Sequence, residues 1–238
     1  MRFNRILLFV VVFSLLGAFA HECSKAKAAE SEHAEAKSEE NFIDSLTFLG
    51  DSITAHMQQR SPLRAEQIWA TQSRYLNLDS RITYAKIVAP DTGAEETIAT
   101  VAKRLRPSYL VITLGIDYGV YYYRNDLQTF RHYYEKLLSA ILEASPDTVL
   151  ILQSIFPVGR GSAVITNDMI QNANAVISDI AAARGLAFVD QTAVLADSDG
   201  YLRQEYCYSS DGIHLTAKAY DAILAKLASM EKEIKEKL

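Results

Sequence analysis

The sequence predicts an α/β fold in which helices cover both faces of a parallel sheet. Unbroken apolar runs of strand length recur along the chain, as in strands buried on both faces. Segments of helical periodicity separate them, the alternation that parallel strands with crossover helices produce. With 238 residues, 49% of them hydrophobic, the chain can bury one sizeable core in one domain.

Arg2 and Arg5 precede an apolar run at residues 6–16, and Ala18–Phe19–Ala20 offers small residues where a signal peptidase reads. Residues 1–20 are therefore expected to be an export signal cut after Ala20, leaving a secreted or cell-surface protein. An uncut signal would be the protein's one contact with a membrane. Ala20–His21–Glu22 lacks the leucine and small residue that lipidation of Cys23 requires. Losing Arg2 and Arg5 takes the formal charge from −5 to −7, which argues against a nucleic-acid partner. Residues 21–41, mostly Ala, Glu, Lys and Ser, have no apolar stripe and read as a solvated helix or a disordered tether. The globular domain is then 42–238. The chain's two cysteines, Cys23 and Cys207, make neither a disulfide framework nor a zinc site.

Within the domain the expected elements follow in order. Residues 46–49 form a first strand, and a short helix begins at Ser52. Residues 63–76 are mixed and give no firm assignment. Residues 82–88 read as the second strand, closed by a Pro90–Asp91–Thr92–Gly93 turn. Residues 95–105 read as a helix, with Ile98, Val101 and Leu105 on one face. Residues 109–114 form a strand ending at Gly115. Asp126 caps a long helix to Glu143, and residues 149–155 form the next strand. A helix from Asn167 or Asp168 stops at Gly185, residues 186–189 form the last strand, and a closing helix runs from Thr216 to about Met230.

Sites in such sheets form beyond the carboxyl ends of the strands. After the first strand comes Gly50–Asp51–Ser52, where Gly50 permits a tight turn and Asp51 and Ser52 suit a helix start. Backbone N–H groups converge there and the helix dipole favours negative charge, as a nucleophilic hydroxyl and its oxyanion require. Alone, the stretch reads equally well as a helix cap. Near the carboxyl end, Asp211–Gly212–Ile213–His214 sets a carboxylate three residues before an imidazole. The carboxylate can hold one ring nitrogen while the other takes a proton from a serine. A polar turn with an incidental histidine is the alternative, but the two motifs together favour catalysis.

At these two motifs the chain resembles the SGNH, or GDSL-type, hydrolases, over about residues 46–227. The resemblance implies a flavodoxin-like three-layer α/β/α fold and ester hydrolysis through an acyl-serine, with no metal and no cofactor. It places the nucleophile on Ser52, the base on His214 and its carboxylate partner on Asp211. The oxyanion would be held by the N–H groups of Ser52 and Gly93. The third block departs from the family, which expects Gly-x-Asn with an amide donor where this chain has Gly115–Ile116–Asp117. An ionised Asp117 would repel an oxyanion. It is expected to be a neutral acid, or Tyr118 supplies the donor, or the enzyme has lapsed. The intact outer motifs favour an active enzyme.

Tyr118, Tyr121, Tyr122 and Tyr123 follow on a loop that either binds substrate, stacking on a sugar or lining an acyl pocket, or packs on itself. His56, one helical turn after Ser52, is within reach of the site but reads rather as an ordinary surface or supporting histidine, His132 as a helix-face residue and Cys207 as structural. The expected protein is an exported serine esterase acting on a small-molecule or polymeric ester, O-acetyl groups on carbohydrate or cell-wall polymer first. An inactive carbohydrate-binding module or an acyltransferase on the same fold is the alternative.

Overall fold

The computed structural model describes residues 42–237. The expected export signal, the charged tether and Cys23 lie outside them.

Five strands form one parallel sheet: β1 (Leu46–Gly50), β2 (Ile68–Trp69), β5 (Tyr109–Thr113), β6 (Val149–Gln153) and β7 (Ala187–Val189). Their order is β2-β1-β5-β6-β7. The chain thus leaves β1 for one edge and returns on β1's other side. Between β1 and β5 lies the crevice where ligands bind in such sheets. Gly50 pairs with Thr113, so both strands end level and their following loops face each other. A side chain at Gly50 has no room: a Cβ would lie 2.2 Å from Thr113 O and 2.2 Å from Thr54 Oγ1.

The helices lie in two groups that flank the sheet. In one, α2 (Ile98–Leu105), α3 (Leu127–Ala144) and α4 (Asn167–Arg184) pack side by side. In the other, α1 (Ser52–Arg60) packs on α6 (Ala217–Ser229), which also carries the short α5 (Thr192–Leu195). A last short helix, α7 (Glu231–Lys235), follows α6. Asp126 caps α3 by accepting from Thr129 N, and Gly185 ends α4 in the left-handed region, both as the sequence indicates. Phe130, Tyr134, Leu137, Leu138 and Ile141 form the buried stripe of α3.

Two expectations are corrected. Residues 82–88 are not a strand of the main sheet. A 3₁₀ turn at Ile82–Tyr84 leads into β3 (Lys86–Val88), which pairs antiparallel with β4 (Glu95–Thr97) in a separate ribbon. The Pro90–Gly93 turn folds the chain back, so Ala89 and Gly93 spend their N–H groups on Ala94 O and Ala89 O. The sheet edge is instead the two-residue β2, tied to the ribbon by Val88 N donating to Ala70 O. Residues 95–97 belong to β4, and α2 starts only after Thr97, whose side chain accepts from Thr100 N.

Candidate active site

Asp51 and Ser52 begin α1 at the mouth of the crevice. Asp51 is the N-cap, its Oδ1 accepting from Ile53 N at 3.4 Å. Its Oδ2 reaches across to β5's loop and accepts from Gly115 N at 3.1 Å and Ile116 N at 3.0 Å. The carboxyl is thus a brace that fixes the loop bearing Asp117 against the turn bearing Ser52. Burial and the Asp117 charge, opposed by these three N–H bonds, push Asp51 up to about 7.

Asp117 meets Ser52 with both oxygens. Its Oδ2 accepts from Ser52 N at 3.0 Å, and its Oδ1 accepts from Ser52 Oγ at 2.9 Å. Burial pushes this carboxyl up, while the two Ser52 bonds and the nearby His214 pull it down.

The histidine comes from the loop before α6. Asp211 Oδ2 lies 2.7 Å from His214 Nδ1, and Asp211 Oδ1 accepts from Ile213 N and His214 N. Partial burial works against the charge on Asp211. The Ile213 N–H, the His214 ring, the Ser209 side chain and the His214 N–H more than offset it and hold the group well below the usual carboxylate range. Gly212 makes the turn at φ +68°, and a Cβ there would strike Ser162 N at 2.9 Å. Gly159 N donates to Gly212 O at 2.7 Å, docking this loop on its neighbour.

Helix α1 holds that loop at both ends. Tyr220 of α6 donates its hydroxyl to Ile53 O at 2.8 Å. At the other end Arg60 lies 3.4 Å over the Tyr208 ring and donates to Leu215 O. Midway, the His56 ring sits 4.6 Å from His214, tilted by 60°. Burial, then the charges of His214, Arg60 and Arg74, lower His56 to about 4, so it packs there as a neutral ring. One helical turn from Ser52 therefore carries the wall against which His214 rests.

A hydroxyl at a helix N-terminus, an imidazole packed on the next turn of that helix and a carboxylate on one imidazole nitrogen make a set able to attack an acyl carbon. A model of the GDSL-like lipase/acylhydrolase family matches residues 48–222, well over half of the chain and spanning both motifs. The chain belongs to the GDSL-like lipase/acylhydrolase family. Its chemistry is acyl-ester hydrolysis in the general sense of that family. Among solved structures, a Streptococcus pneumonia protein provisionally named a platelet activating factor is similar at 18% identity, with a TM-score of 0.53 over 92% of this chain and 98% of that one. A GDSL-like lipase from Bacteroides thetaiotaomicron is similar at 18% identity, with a TM-score of 0.46 over 83% and 91%. At its identity the first of these likenesses speaks for the fold alone. A search of curated proteins found no match.

Against the family pattern, the structure sets Asp117 on Ser52 and Asp211 on His214, and it spends the Gly93 N–H elsewhere. Gly93 N donates to Ala89 O at 2.8 Å, and the residue lines an outer cleft with Ala55, Gln58 and Arg74. Its N–H closes the hairpin turn and is not free for the oxyanion role expected of it. Asp117 accepts from Ser52 rather than donating. The Ser52 hydroxyl is turned to Asp117, and among the described residues no hydrogen bond joins it to His214. A carboxylate 4 Å from an oxyanion would oppose it by about 4 kcal/mol at an effective dielectric of 20.

The tyrosine loop packs on itself. Tyr118 stacks on Tyr122 at 3.8 Å, Tyr121 meets Tyr122 edge-on at 5.8 Å, and Arg124 covers Tyr121. Tyr121 and Tyr122 keep exposed faces. Burial, with the charges of Asp211 and Glu205, raises the Cys207 thiol, which disfavours a thiolate nucleophile. His132 lies on α3 beside Tyr133. Among the described residues no group of His, Cys, Asp and Glu is arranged to hold a metal ion. The brace from Asp51 to Gly115 and Ile116, the Arg60 clasp and the Tyr220 bond were missed by sequence reasoning. Only Asp51 carried a signal, as an acidic residue at a helix start.

Proposed function

We propose that the protein is an exported serine esterase that hydrolyses short-chain esters, O-acetyl groups on a carbohydrate or cell-wall polymer first. Ser52 attacks the ester carbonyl, His214 takes its proton and passes it to the leaving oxygen, and Asp211 fixes the His214 tautomer. Water, activated by His214, then releases the acyl group. The Asp211–His214 bond at 2.7 Å, on a loop clasped to the helix that Ser52 begins, is the observation that carries this reading.

The preference for a short acyl group follows from how little room lies beside Asp51, where the mostly apolar crevice is about 10 Å³, space for about one water. It is lined by Ile53, Ile116, Ile155, Phe156, Val158 and Ile213, and its wall includes Asp51. The exposed faces of Tyr121 and Tyr122 suit a sugar ring, and the amino-terminal signal supports export. One observation favours a rival, a fold that binds without turnover: Asp117 occupies the Ser52 N–H. Turnover of acetyl, butyryl and longer esters, beside acetylated xylan and peptidoglycan, decides between them. Acetyl release lost in Ser52→Ala supports the esterase. No Ser52-dependent release from any ester supports the rival.

A further inference from the structure

The Ser52 N–H that an oxyanion needs is already occupied, and by a negative group of the same chain. We propose that Asp117 is a further catalytic residue that works as a neutral acid: ionised, it clamps Ser52 in an idle arrangement, and protonated, it frees Ser52 and donates its own O–H to the oxyanion. This rests on Ser52 being the nucleophile.

The geometry supplies both halves of the role. As a carboxylate, Asp117 only accepts, and both of its oxygens take hydrogens from Ser52. The hydroxyl is then committed to Asp117 rather than to His214, and the N–H is closed to a substrate carbonyl. A proton on Asp117 converts one oxygen into a donor within reach of the same space. The hydroxyl rotor is released to turn to His214.

The surroundings keep the two forms close in energy. Asp51, fully buried, faces Asp117 from the turn before α1, and its charge disfavours a second one. Near Asp51, the Tyr134 hydroxyl of α3 is buried and has no hydrogen-bond partner among the described residues. From the carboxyl-terminal loop His214 favours the ionised form, with neutral His56 of α1 behind it and Arg60 and Arg74 beyond. Asp51 has three N–H bonds to lose on protonation, whereas the Ser52 bonds to Asp117 exchange by a hydroxyl rotation. At rest, burial and the Asp117 charge keep the pair's proton on Asp51. Substrate binding excludes water and takes the Ser52 N–H, so Asp117 loses the bonds that hold its charge while Asp51 keeps its three, and the balance shifts toward a proton on Asp117.

In the step itself, Ser52 Oγ bonds to the acyl carbon and its proton goes to His214. The carbonyl π pair moves onto oxygen, held by the Ser52 N–H and the Asp117 O–H. Collapse breaks the bond to the leaving oxygen, which takes the His214 proton, and Asp117 keeps its own throughout.

The test is kcat/KM for p-nitrophenyl acetate against pH, in the wild type, Asp117→Asn, Asp117→Ala and Ser52→Ala, with folding checked by circular dichroism. The wild type is expected to lose activity on the alkaline side as Asp117 ionises. Asp117→Asn, a permanent donor, should lack that limb, so its advantage grows by about tenfold per pH unit beyond it. Asp117→Ala should also lack the limb but run about 10²–10³-fold below Asp117→Asn. An Asn variant that is folded yet follows the wild-type profile, or is inert at every pH while Ser52→Ala abolishes wild-type turnover, overturns the role of Asp117 alone. Wild-type activity in Ser52→Ala, or no turnover in any variant, overturns the nucleophile and this proposal with it. For an Asn variant too unstable to assay, the wild type decides: no alkaline limb refutes the proposal.

Discussion

Replacing Asp211 with asparagine should cost about 10⁴-fold in kcat, although it exchanges one oxygen for an NH₂ group. Besides the bond from the Ser209 side chain, Asp211 makes three bonds through its two oxygens: Oδ1 takes Ile213 N at 2.8 Å and His214 N at 3.1 Å, and Oδ2 faces His214 Nδ1 at 2.7 Å. In Asp211→Asn the two backbone N–H groups claim the remaining oxygen. The amide NH₂ is left facing Nδ1, which must become an acceptor. The ring proton then moves to Nε2, the nitrogen that has to take the Ser52 proton. The loss corresponds to about 5.5 kcal/mol of barrier. Stability should hardly change, because the side chain is 40% exposed and keeps its two backbone bonds. The assay is kcat with p-nitrophenyl acetate on protein whose thermal midpoint matches the wild type. A loss smaller than about tenfold, with the fold intact, would refute the reasoning that Asp211 sets the His214 tautomer.

Three further outcomes follow from the packing and charges. Tyr220→Phe removes the buried bond to Ile53 O, which should cost about 1 kcal/mol and lower the thermal midpoint by about 2–4 °C; an unchanged midpoint would show that the bond contributes nothing. Gly50→Ala places a Cβ 2.2 Å from Thr113 O, so a loss of about 3 kcal/mol or failure to express folded protein is expected, and a melting curve like the wild type's would contradict the strand spacing. Asp51, raised to about 7 by burial and Asp117, binds its proton more tightly folded than unfolded, so its contribution to stability falls as pH rises from about 4 to 7. Asp91, Glu96, Asp126, Asp197 and Asp211 are shifted the other way, and their contribution is lost only as pH falls below the ordinary carboxylate range. The difference in urea midpoint between the wild type and Asp51→Asn should therefore move against the wild type from pH 4.5 to 7, and a difference that does not move would contradict the buried charge.

What the sequence made legible were features with local causes. The strand before Ser52, the stripe and cap of α3, the stop at Gly185 and the Asp211–His214 spacing each depend on neighbours in the chain. Long-range hydrogen bonding was not legible. Ile68–Trp69 is too short to show a period, yet β1 takes it as a partner, while the apolar residues 82–88 curl into a ribbon. Gly93 has the right residue type after an apolar run, but its N–H is spent two residues from Asp91, on Ala89 O. At position 117 the sequence showed that an amide was missing. It did not show that the carboxylate would turn both oxygens onto Ser52, because that depends on where the Asp51 brace sets the loop.

The reading of Ser52 as an activated nucleophile is tested most directly by a fluorophosphonate probe followed by peptide mass mapping. Stoichiometric labelling is expected on Ser52, at a rate that falls by orders of magnitude in His214→Ala and to nothing in Ser52→Ala. Labelling on another residue, or at an equal rate without His214, would contradict it.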